Sequence, residues 1–331
     1  MIKPVINIAT AVLFLGSIEL AASQGAEQAK AEQTNQTKWT LSTDLLIWKA
    51  KEGRLSYTTE PGEIQSPPNF TGASKVKPHF EWNYGFREKF AYDPWHGNWE
   101  FYLQWTHIIN RAKGEREAGT MQGMFPVWIL SSDLLGFDYV THAESKWHAI
   151  TNILDGVYGY HFRPIRWLTL TPWAGLRSEW IGQHFHVQYS GGVFPSATDS
   201  ISMKNDFWGI GPIVGFDPEV FLGKYWSIRV SADVAMLGGQ FNTKQQESYV
   251  NTLRYRKTRE FGALRWNVDF LAALKWRIPF CQEHYAFTLQ GGWESHWFFN
   301  QNQFTQNQFH LVRGNRDLTL QGWFLSLEFA F

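Results

Sequence analysis

The stretch LRWNVDFLAALKWRI, residues 264–278, alternates between apolar and polar side chains over an unusual length. A β-strand places its eight apolar even positions on one face: Leu264, Trp266, Val268, Phe270, Ala272, Leu274, Trp276 and Ile278. The opposite face carries the polar set Arg265, Asn267, Asp269, Lys275 and Arg277. Eight positions on one face need about 16 residues, whereas strands of globular proteins average about five or six. The stretch therefore predicts a strand too long for an ordinary soluble sandwich.

The same period of two recurs along most of the chain and predicts ten strands. We place them at about 40–50, 79–92, 98–111, 145–161, 167–183, 205–221, 225–240, 260–278, 285–299 and 316–331. In the first and fourth strands the apolar side chains fall on both faces, so the boundaries of these two are the least defined.

The connections between the strands alternate strictly between short and long. Those after strands two, four, six and eight read DPWHGN, RPIR, LGK and PFCQEH, whereas the others cover about 51–78, 112–144, 184–204, 241–259 and 300–315. Short periplasmic turns and long extracellular loops are typical of outer-membrane barrels. The prediction is an all-β fold: a transmembrane up-and-down antiparallel β-barrel of about ten strands over residues 39–331.

The N-terminal region has the features of an export signal. Lys3 precedes an apolar run from Val5 to about Leu15, and small residues follow at 21–23, which predicts a signal peptide over residues 1–23. An uncleaved anchor is the alternative, although the run is short for a membrane span. Residues 24–38 predict a flexible lead-in. Export and a barrel together predict the outer membrane of a Gram-negative bacterium.

Composition narrows the function classes. The formal net charge is zero and only 18% of residues are charged, which gives no electrostatic case for nucleic acid. The aromatic content is high, with 18 Trp, 26 Phe and 12 Tyr, and aromatic girdles at a membrane interface would use it. Cys281 is the single cysteine, so it is either an incidental free thiol or the site of an intermolecular bridge.

The membrane assigns the two faces of the strands. A sheet in hydrocarbon must close on itself to pair its backbone groups, so its apolar face meets lipid and its polar face lines the lumen. The aromatic residues expected at the membrane interfaces are Trp99, Trp105, Trp226, Trp266, Trp276, Trp293, Trp323 and Phe331.

The polar face supplies the candidate pore lining. Its charged residues are Glu81, Arg87, Lys89, Glu100, Arg177, Glu179, Arg229, Asp233, Arg265, Asp269, Lys275, Arg277 and Glu294, with Asp217 and Glu328 on the same face. They either tune which solutes pass or form ion pairs that fill the barrel. Ten strands lie near the closed end of the size range. Inward-facing Gly209, Gly211 and Gly215 would leave room and favour a narrow pore over a filled barrel.

Several stretches together resemble the Legionella- and Chlamydiales-type pore-forming major outer membrane proteins. They are LSTDLLIWKAKEG, FEWNYGFREKFAYDPWHGNWEFYLQWTHI, SKWHAITNILDGVYGYHF, WLTLTPWAGLRSEWIGQ, NDFWGIGPIVGF and DLTLQGWFLSLEFAF. The resemblance implies a pore for small solutes, with no catalytic residue and no cofactor. Separately, a terminal Phe after alternating hydrophobic residues resembles the signal by which Gram-negative cells recognise outer-membrane barrels, so Phe331 is expected to be read by the barrel-assembly machinery. The expected partners are outer-membrane lipid, that machinery, small solutes and possible further copies of the chain.

The sequence leaves two other functions open. An omptin-like protease would use Asp and His residues near the outer rim, where we expect His107, His142, His184, His186, His296, Asp133 and Asp138. A surface adhesin or receptor would use the loops at 112–144 and 241–259. The apolar segment FPVWILSSDLLGFDYV within the first of these predicts a constriction in the barrel mouth, although contact with a partner or with the membrane is also open. His184 and His186 lack a further ligand nearby, so no metal site is predicted.

Overall fold

The computed structural model describes residues 38–64, 74–94, 98–129, 139–250, 252–281, 284–304 and 316–331. The predicted signal peptide, residues 24–37 of the lead-in and residues 130–138 of the apolar loop segment lie outside the described residues. Lys38, the last residue assigned to the lead-in, instead begins the first strand. The described part contains no helix long and apolar enough to cross a membrane.

Ten long antiparallel strands form the wall of the molecule. They are β1 (Lys38–Glu52), β2 (Trp82–Asp93), β3 (Trp99–Glu117), β4 (His142–Tyr160), β5 (Leu168–Gly191), β6 (Phe194–Phe221), β7 (Trp226–Tyr249), β8 (Thr252–Phe280), β9 (Tyr285–Phe298) and β10 (Leu318–Ala330). Each pairs with its neighbours in sequence, and β10 pairs with β1 from Thr40↔Ala330 to Glu52↔Leu318. The sheet is therefore a closed up-and-down barrel, and the fold prediction is confirmed.

The two faces of the wall differ as the alternation predicts. In β10 the side chains of Trp323, Leu325 and Leu327 are exposed on the outside, whereas Phe324 and Ser326 are buried in the interior. The outward apolar positions form a continuous band, which covers 323–331 in β10 and 226–236 in β7. These lengths match the roughly 9–11 residues that a tilted strand needs to cross a bilayer. We call this surface the apolar band.

Two of the predicted long loops are strands. β5 and β6 continue through 184–204 to a tight turn at Gly192–Val193, and β7 and β8 continue through most of 241–259. The turn uses Gly191 and Gly192 at φ of 72° and 59°, in the left-handed region that glycine adopts without strain. Beyond the band the outward positions are polar because they face water, so apolar alternation stops there while the backbone ladder continues.

Short strands tie the remaining loops together at the extracellular end. Thr58–Thr59 pairs with Lys75–Val76, and Gly62–Glu63 pairs with Gln122–Gly123. His79–Phe80 adds to β3, and Phe162–Ile165 folds back on β5 at the other end of the barrel. The first pairing lies within the loop after β1, and the second joins that loop to the loop after β3, so both loops enter the barrel mouth together.

Candidate functional site: the barrel lumen

An arginine on β5 organises the middle of the lumen. Arg177 donates from Nε and Nη2 to the two carboxylate oxygens of Asp155 on the adjacent β4, at 2.7 and 3.0 Å. Its Nη1 reaches Asp269 on β8 at 2.6 Å, and Asp233 lies 3.7 Å from Nη2. Because β5 and β8 are not neighbours in the wall, the pair Arg177–Asp269 crosses the lumen.

A second arginine forms a parallel bridge. Arg87 on β2 donates to Asp44 on β1 at 3.2 Å and to Glu294 on β9 at 2.9 Å. The Trp48 indole donates to the other oxygen of Glu294 at 3.0 Å. His296 joins the two bridges, since its Nδ1 lies 3.0 Å from Asp269 and its Nε2 lies 3.6 Å from Glu294. The network leaves buried charges paired, as a low-dielectric interior requires.

The periplasmic half of the lumen holds separate ion pairs and a cavity. The pairs are Lys89–Glu100 (2.8 Å), Arg229–Asp217 (2.5 Å) and Lys275–Glu219 (3.2 Å). A cavity of about 80 Å³ extends between these pairs and the two arginine bridges, and Ser42, Gln104, Ser231 and Gln290 contribute to its largely polar lining. This volume is enough for several water molecules.

The extracellular half is closed by apolar side chains from the loops. Segments 55–59, 124–129 and 301–304 enter the mouth, and we call them together the plug. Their apolar members Leu55, Tyr57, Met124, Val127, Trp128, Ile129 and Phe304 are buried against the wall. Inward residues such as Leu46, Trp48 and Ile153 complete the cluster, which explains why strands one and four carry apolar residues on both faces.

Hydrogen bonds hold the plug to one wall tyrosine. The Tyr189 hydroxyl on β5 donates to the Tyr57 carbonyl at 2.5 Å and accepts from the Trp128 backbone N–H at 3.2 Å. The Trp128 indole donates to the Ser56 carbonyl at 2.7 Å and its ring lies edge-on to Phe185. One hydroxyl therefore joins two of the three plug segments to the barrel, and burial raises the pKa of Tyr189 above its ordinary value.

Gly209, Gly211 and Gly215 do not leave open space in the lumen, contrary to the prediction from the sequence. A Cβ on Gly215 would meet the Trp173 ring, and one on Gly209 would meet Phe207, since those aromatic side chains already fill the volume. A Cβ on Gly211 would clash with the Met236 carbonyl of the adjacent strand. The glycines thus admit close packing, and the expectation that they widen the lumen is wrong.

The predicted lining residues occupy two kinds of position. Ten of them face the interior and join the contacts above or lie beside them: Arg87, Lys89, Glu100, Arg177, Glu179, Arg229, Asp233, Asp269, Lys275 and Glu294. Glu179 accepts a short hydrogen bond from Asn267. Arg265 lies higher, with its guanidinium over the inward ring of Phe241. Glu81 and Arg277 are exposed at opposite ends of the barrel. Whether solutes contact any of these residues stays a prediction.

Sequence reasoning missed several members of the network. Asp155 lies in strand four and Asp44 in strand one. Both strands carry apolar residues on both faces, so the sequence does not show which of their residues point inward. Glu219 lies two residues from Asp217 and therefore on the same face of the strand, so the alternation of the strand could have predicted that it points inward. His296 had been placed near the outer rim, but it is buried at mid-lumen.

The predicted interface aromatics lie on the outer surface at two levels. Trp99, Trp226, Trp276 and Phe331 are near the short-turn end of their strands, and Trp105, Trp266, Trp293 and Trp323 are farther towards the long-loop end. Trp226 stacks on Trp276 at 5.7 Å, and Trp293 meets Trp323 edge-on at 5.1 Å. Their role as membrane anchors stays a prediction, as does the assembly role of Phe331.

The other four histidines predicted near the outer rim, all among the described residues, do not gather in the mouth. His107, His142, His184 and His186 share the outward parity of their strands, while Asp133 and Asp138 lie outside the described residues. Glu115, Glu117 and His142 bring three potential ligand atoms within 4.8 Å on the outer wall. This group is largely exposed, and exposed carboxylates cluster in many proteins without binding a metal.

Comparison with known proteins gives one family match and several similar solved structures. Residues 33–331 match the family profile described as Legionella pneumophila major outer membrane protein precursor. Curated protein sequences give no significant match. Among solved structures, the outer membrane protease OmpT from Escherichia coli is similar at 11% identity and TM-score 0.45, over 90% of this chain and 99% of that one. A Pseudomonas aeruginosa FadL homologue is similar at 8% identity and TM-score 0.27, over 94% and 93%. Ail of Yersinia pestis is similar at 9% identity and TM-score 0.26, over 89% of this chain and 99% of that one.

The family match covers the whole barrel, from before β1 to residue 331. The closed ten-stranded sheet and its outward apolar band are what an outer-membrane span requires. The chain therefore belongs to the family of the Legionella pneumophila major outer membrane protein and is a β-barrel protein of the outer membrane.

Proposed function

We propose that this protein is a narrow, gated pore of the porin type, through which small solutes and ions diffuse across the outer membrane. The observation that carries the proposal is the construction of the plug. The apolar closure consists of loop segments held to the wall through the side chains of Tyr189 and Asn205, whereas the wall closes independently through its own backbone ladder. The plug can therefore move while the barrel stays intact.

The lumen below the plug supports a limit on solute size. The cavity is polar, but the bridges Arg177–Asp269 and Arg87–Glu294 cross the interior. Water and small ions fit beside such bridges, whereas large solutes would require both to break. A ten-stranded barrel is consistent with this limit, since about eight strands already leave room only for side chains.

Single-channel recording of the refolded full chain in planar bilayers tests the proposal. We expect small, infrequent steps from the wild type and a higher open probability from Tyr189→Phe and Trp128→Ala, which weaken the plug. Tyr158→Phe is the matched control, because Tyr158 faces outward and stacks on Trp99 far from the plug. Absence of conducting steps in the wild type and in both plug variants, with folding verified by heat-shift gels, would contradict the pore.

A surface adhesin or receptor without an open pore is the second candidate. The extension of β5–β8 beyond the apolar band favours the adhesin or receptor. These strands continue the barrel wall above the membrane, where its outward residues are polar. Residues 241–249 and 252–259, predicted as a loop, belong to this wall. Binding of intact cells to a host or abiotic surface, lost on deletion of the barrel and unaccompanied by conductance, would support this candidate over the pore.

We propose that the protein has no enzymatic activity. An omptin-like protease needs carboxylate and imidazole groups facing a shared cleft, and the described outer-rim histidines lie on the outside of the wall. His296 is enclosed between Asp269 and Glu294 below the plug. Cleavage of a peptide library by the refolded protein, abolished by His142→Ala or His184→Ala, would overturn this proposal.

A further inference from the structure

A row of basic side chains crosses the outer wall just above the apolar band. The backbone register aligns Arg111 on β3 with His148 on β4, His148 with His184 on β5, and His184 with Lys204 on β6. All four share the outward parity of their strands. We call Arg111, His148, His184 and Lys204 the basic ladder; at about 4.8 Å per strand it is about 14 Å long.

The ladder lies directly next to the membrane surface. The last outward apolar residues below it are Ile109 on β3, Ile150 on β4, Trp180 on β5 and Trp208 on β6. Only one further outward position, Gly182 or Asp206, separates Trp180 and Trp208 from the ladder. The basic groups therefore stand where the headgroups of the outer leaflet begin.

A second row strengthens the positive charge. Lys113 faces Lys146 across β3 and β4, and His186 follows on β5. Lys204 likewise faces Lys244 on β7. Like charges placed directly opposite in a sheet are destabilising, so an anion bound between these two lysine pairs would relieve their repulsion.

The carboxylates nearby do not remove this charge. Asp206 lies beside Lys204, and Glu144 pairs with Lys146 at 2.6 Å. On β3 to β6, four permanent cations, Arg111, Lys113, Lys146 and Lys204, thus face three carboxylates, Asp206, Glu144 and Glu115. Glu115 and Glu144 lie opposite each other, two outward positions farther from the membrane than the basic ladder. The patch keeps a net positive charge next to the lipid.

The imidazoles suit a phosphate ligand in their neutral form. Burial, reinforced by the neighbouring positive charges, lowers the pKa of His148 and of His184. Their rings lie 5.2 Å apart. A neutral imidazole still donates one N–H, so the pair can donate to anionic oxygens between the flanking Arg111 and Lys204 without adding repulsion.

We propose that the basic ladder binds the phosphate groups of a phosphorylated glycolipid of the outer leaflet, whose acyl chains lie along the apolar band below. Continuity with the band favours a lipid over a soluble anion, because the headgroup of a membrane lipid is delivered to this height. Above the band, the outward positions of β9, β10 and β1 include Trp297, Gln321, Thr319, Lys49 and Lys51. The two lysines follow each other along β1, so these positions form no row of basic groups across neighbouring strands. The site is therefore confined to one side of the barrel.

Titration of the refolded full chain in detergent micelles with diphosphorylated lipid A tests the site. Arg111→Gln/Lys204→Gln should bind at least about tenfold more weakly, because cations near a membrane surface contribute substantially to anionic lipid binding. Lys49→Gln/Lys51→Gln is the matched control, since it removes two outward lysines from β1 and should leave the affinity unchanged. Heat-shift gels verify folding of every variant.

Two further arms identify the source of the phosphate. Dephosphorylated lipid A should bind like the double variant, and inorganic phosphate should fail to compete at millimolar concentration. Equal affinity of wild type and Arg111→Gln/Lys204→Gln, equal binding of the dephosphorylated lipid, or full competition by inorganic phosphate would each overturn the proposal. Pore conductance is not involved, so the test is independent of the proposed channel function.

Discussion

Arg177 and Asp155 form a two-point ion pair inside the barrel, with Nε–Oδ1 and Nη2–Oδ2 distances of 2.7 and 3.0 Å. The pair links the adjacent strands β4 and β5, and the remaining guanidinium nitrogen, Nη1, donates across the lumen to Asp269 on β8. Removing one partner of a buried pair leaves an uncompensated charge, and here the loss of one arginine would leave two aspartates without their cation.

The first prediction follows from this arrangement. Arg177→Met should lower the free energy of unfolding by about 3–5 kcal/mol, the usual cost of breaking a buried pair from one side. Arg277→Met, an exposed arginine at the periplasmic end of β8, should change it by less than about 0.5 kcal/mol. Reversible urea unfolding in detergent or vesicles measures both. Equal stabilities would show that water in the lumen already screens the carboxylates.

The lipid-facing assignment predicts a strong position effect along one strand face. Leu327 lies in the middle of the apolar band of β10, and Gln321 lies on the same face beyond its edge. Leu327→Arg should destabilise the barrel by about 2–4 kcal/mol, because a charge then faces hydrocarbon near the bilayer midplane, while Gln321→Arg should cost about 0–1 kcal/mol. Unfolding measurements in lipid vesicles compare the two variants. Similar destabilisation by both would show that the apolar band does not lie in the hydrocarbon at the height assigned to it.

The wall of the barrel could be predicted from the sequence because its signal is local. Alternation over 264–278 assigns both faces of β8 without knowledge of any partner, and strictly alternating connections imply closure. All ten strands were predicted, and the differences lie at their extracellular ends. There the outward residues become polar, and a polar outward face in a continuing strand looks like a loop.

The interior was harder to predict because its contacts are not local. Arg177 meets Asp269 only because the strand number and tilt bring β5 and β8 to that separation across the lumen. The plug requires three loops to pack against one another, and a hydroxyl on β5 to meet both Tyr57 and Trp128. Alternation identifies inward residues, but it gives no distance between strands that are not neighbours.

The third prediction concerns a carboxyl in the wall above the membrane. Asp199 lies at the extracellular end of β6, outside the apolar band, and burial raises its pKa to about 7, with Glu247 adding to the shift and Arg254 opposing it. An unfolded aspartate has a pKa of about 3.9. The folded wall therefore binds the Asp199 proton more tightly than the unfolded chain does. The contribution of Asp199 to the free energy of unfolding is fully present below about pH 4 and is lost as the pH rises through about 7.

Local hydrogen exchange around Asp199, corrected for the intrinsic rate, measures this effect. Protection should fall between pH 5 and 7 in the wild type and stay level in Asp199→Asn, which is neutral throughout. Asp206→Asn, on the outward face of the same strand, should retain the wild-type slope. A slope that persists in Asp199→Asn would assign the pH dependence to another group.

The last prediction concerns the seam of the barrel. The Phe331 N–H donates to the Trp39 carbonyl at 2.9 Å, and the Trp39 N–H donates to the Phe331 carbonyl at 2.8 Å, which extends the β10–β1 ladder by one pair. The Phe331 ring is exposed to the lipid side and stacks on Phe329 at 5.6 Å. Two backbone bonds at the end of a strand are a small part of the ladder, so removing them alone should leave the refolded barrel intact.

Deletion of Phe331 should therefore separate stability from assembly. If the assembly machinery reads this residue, the outer membrane should contain severalfold less folded barrel, with export to the periplasm undiminished and refolding of the purified variant in vesicles near normal. Phe287→Ala, which removes an outward aromatic near the same end of β9 without touching the seam, is the control and should assemble like the wild type. Normal assembly of the deletion variant would assign Phe331 to the lipid interface alone, and poor refolding in vesicles would trace its effect to the seam bonds with Trp39.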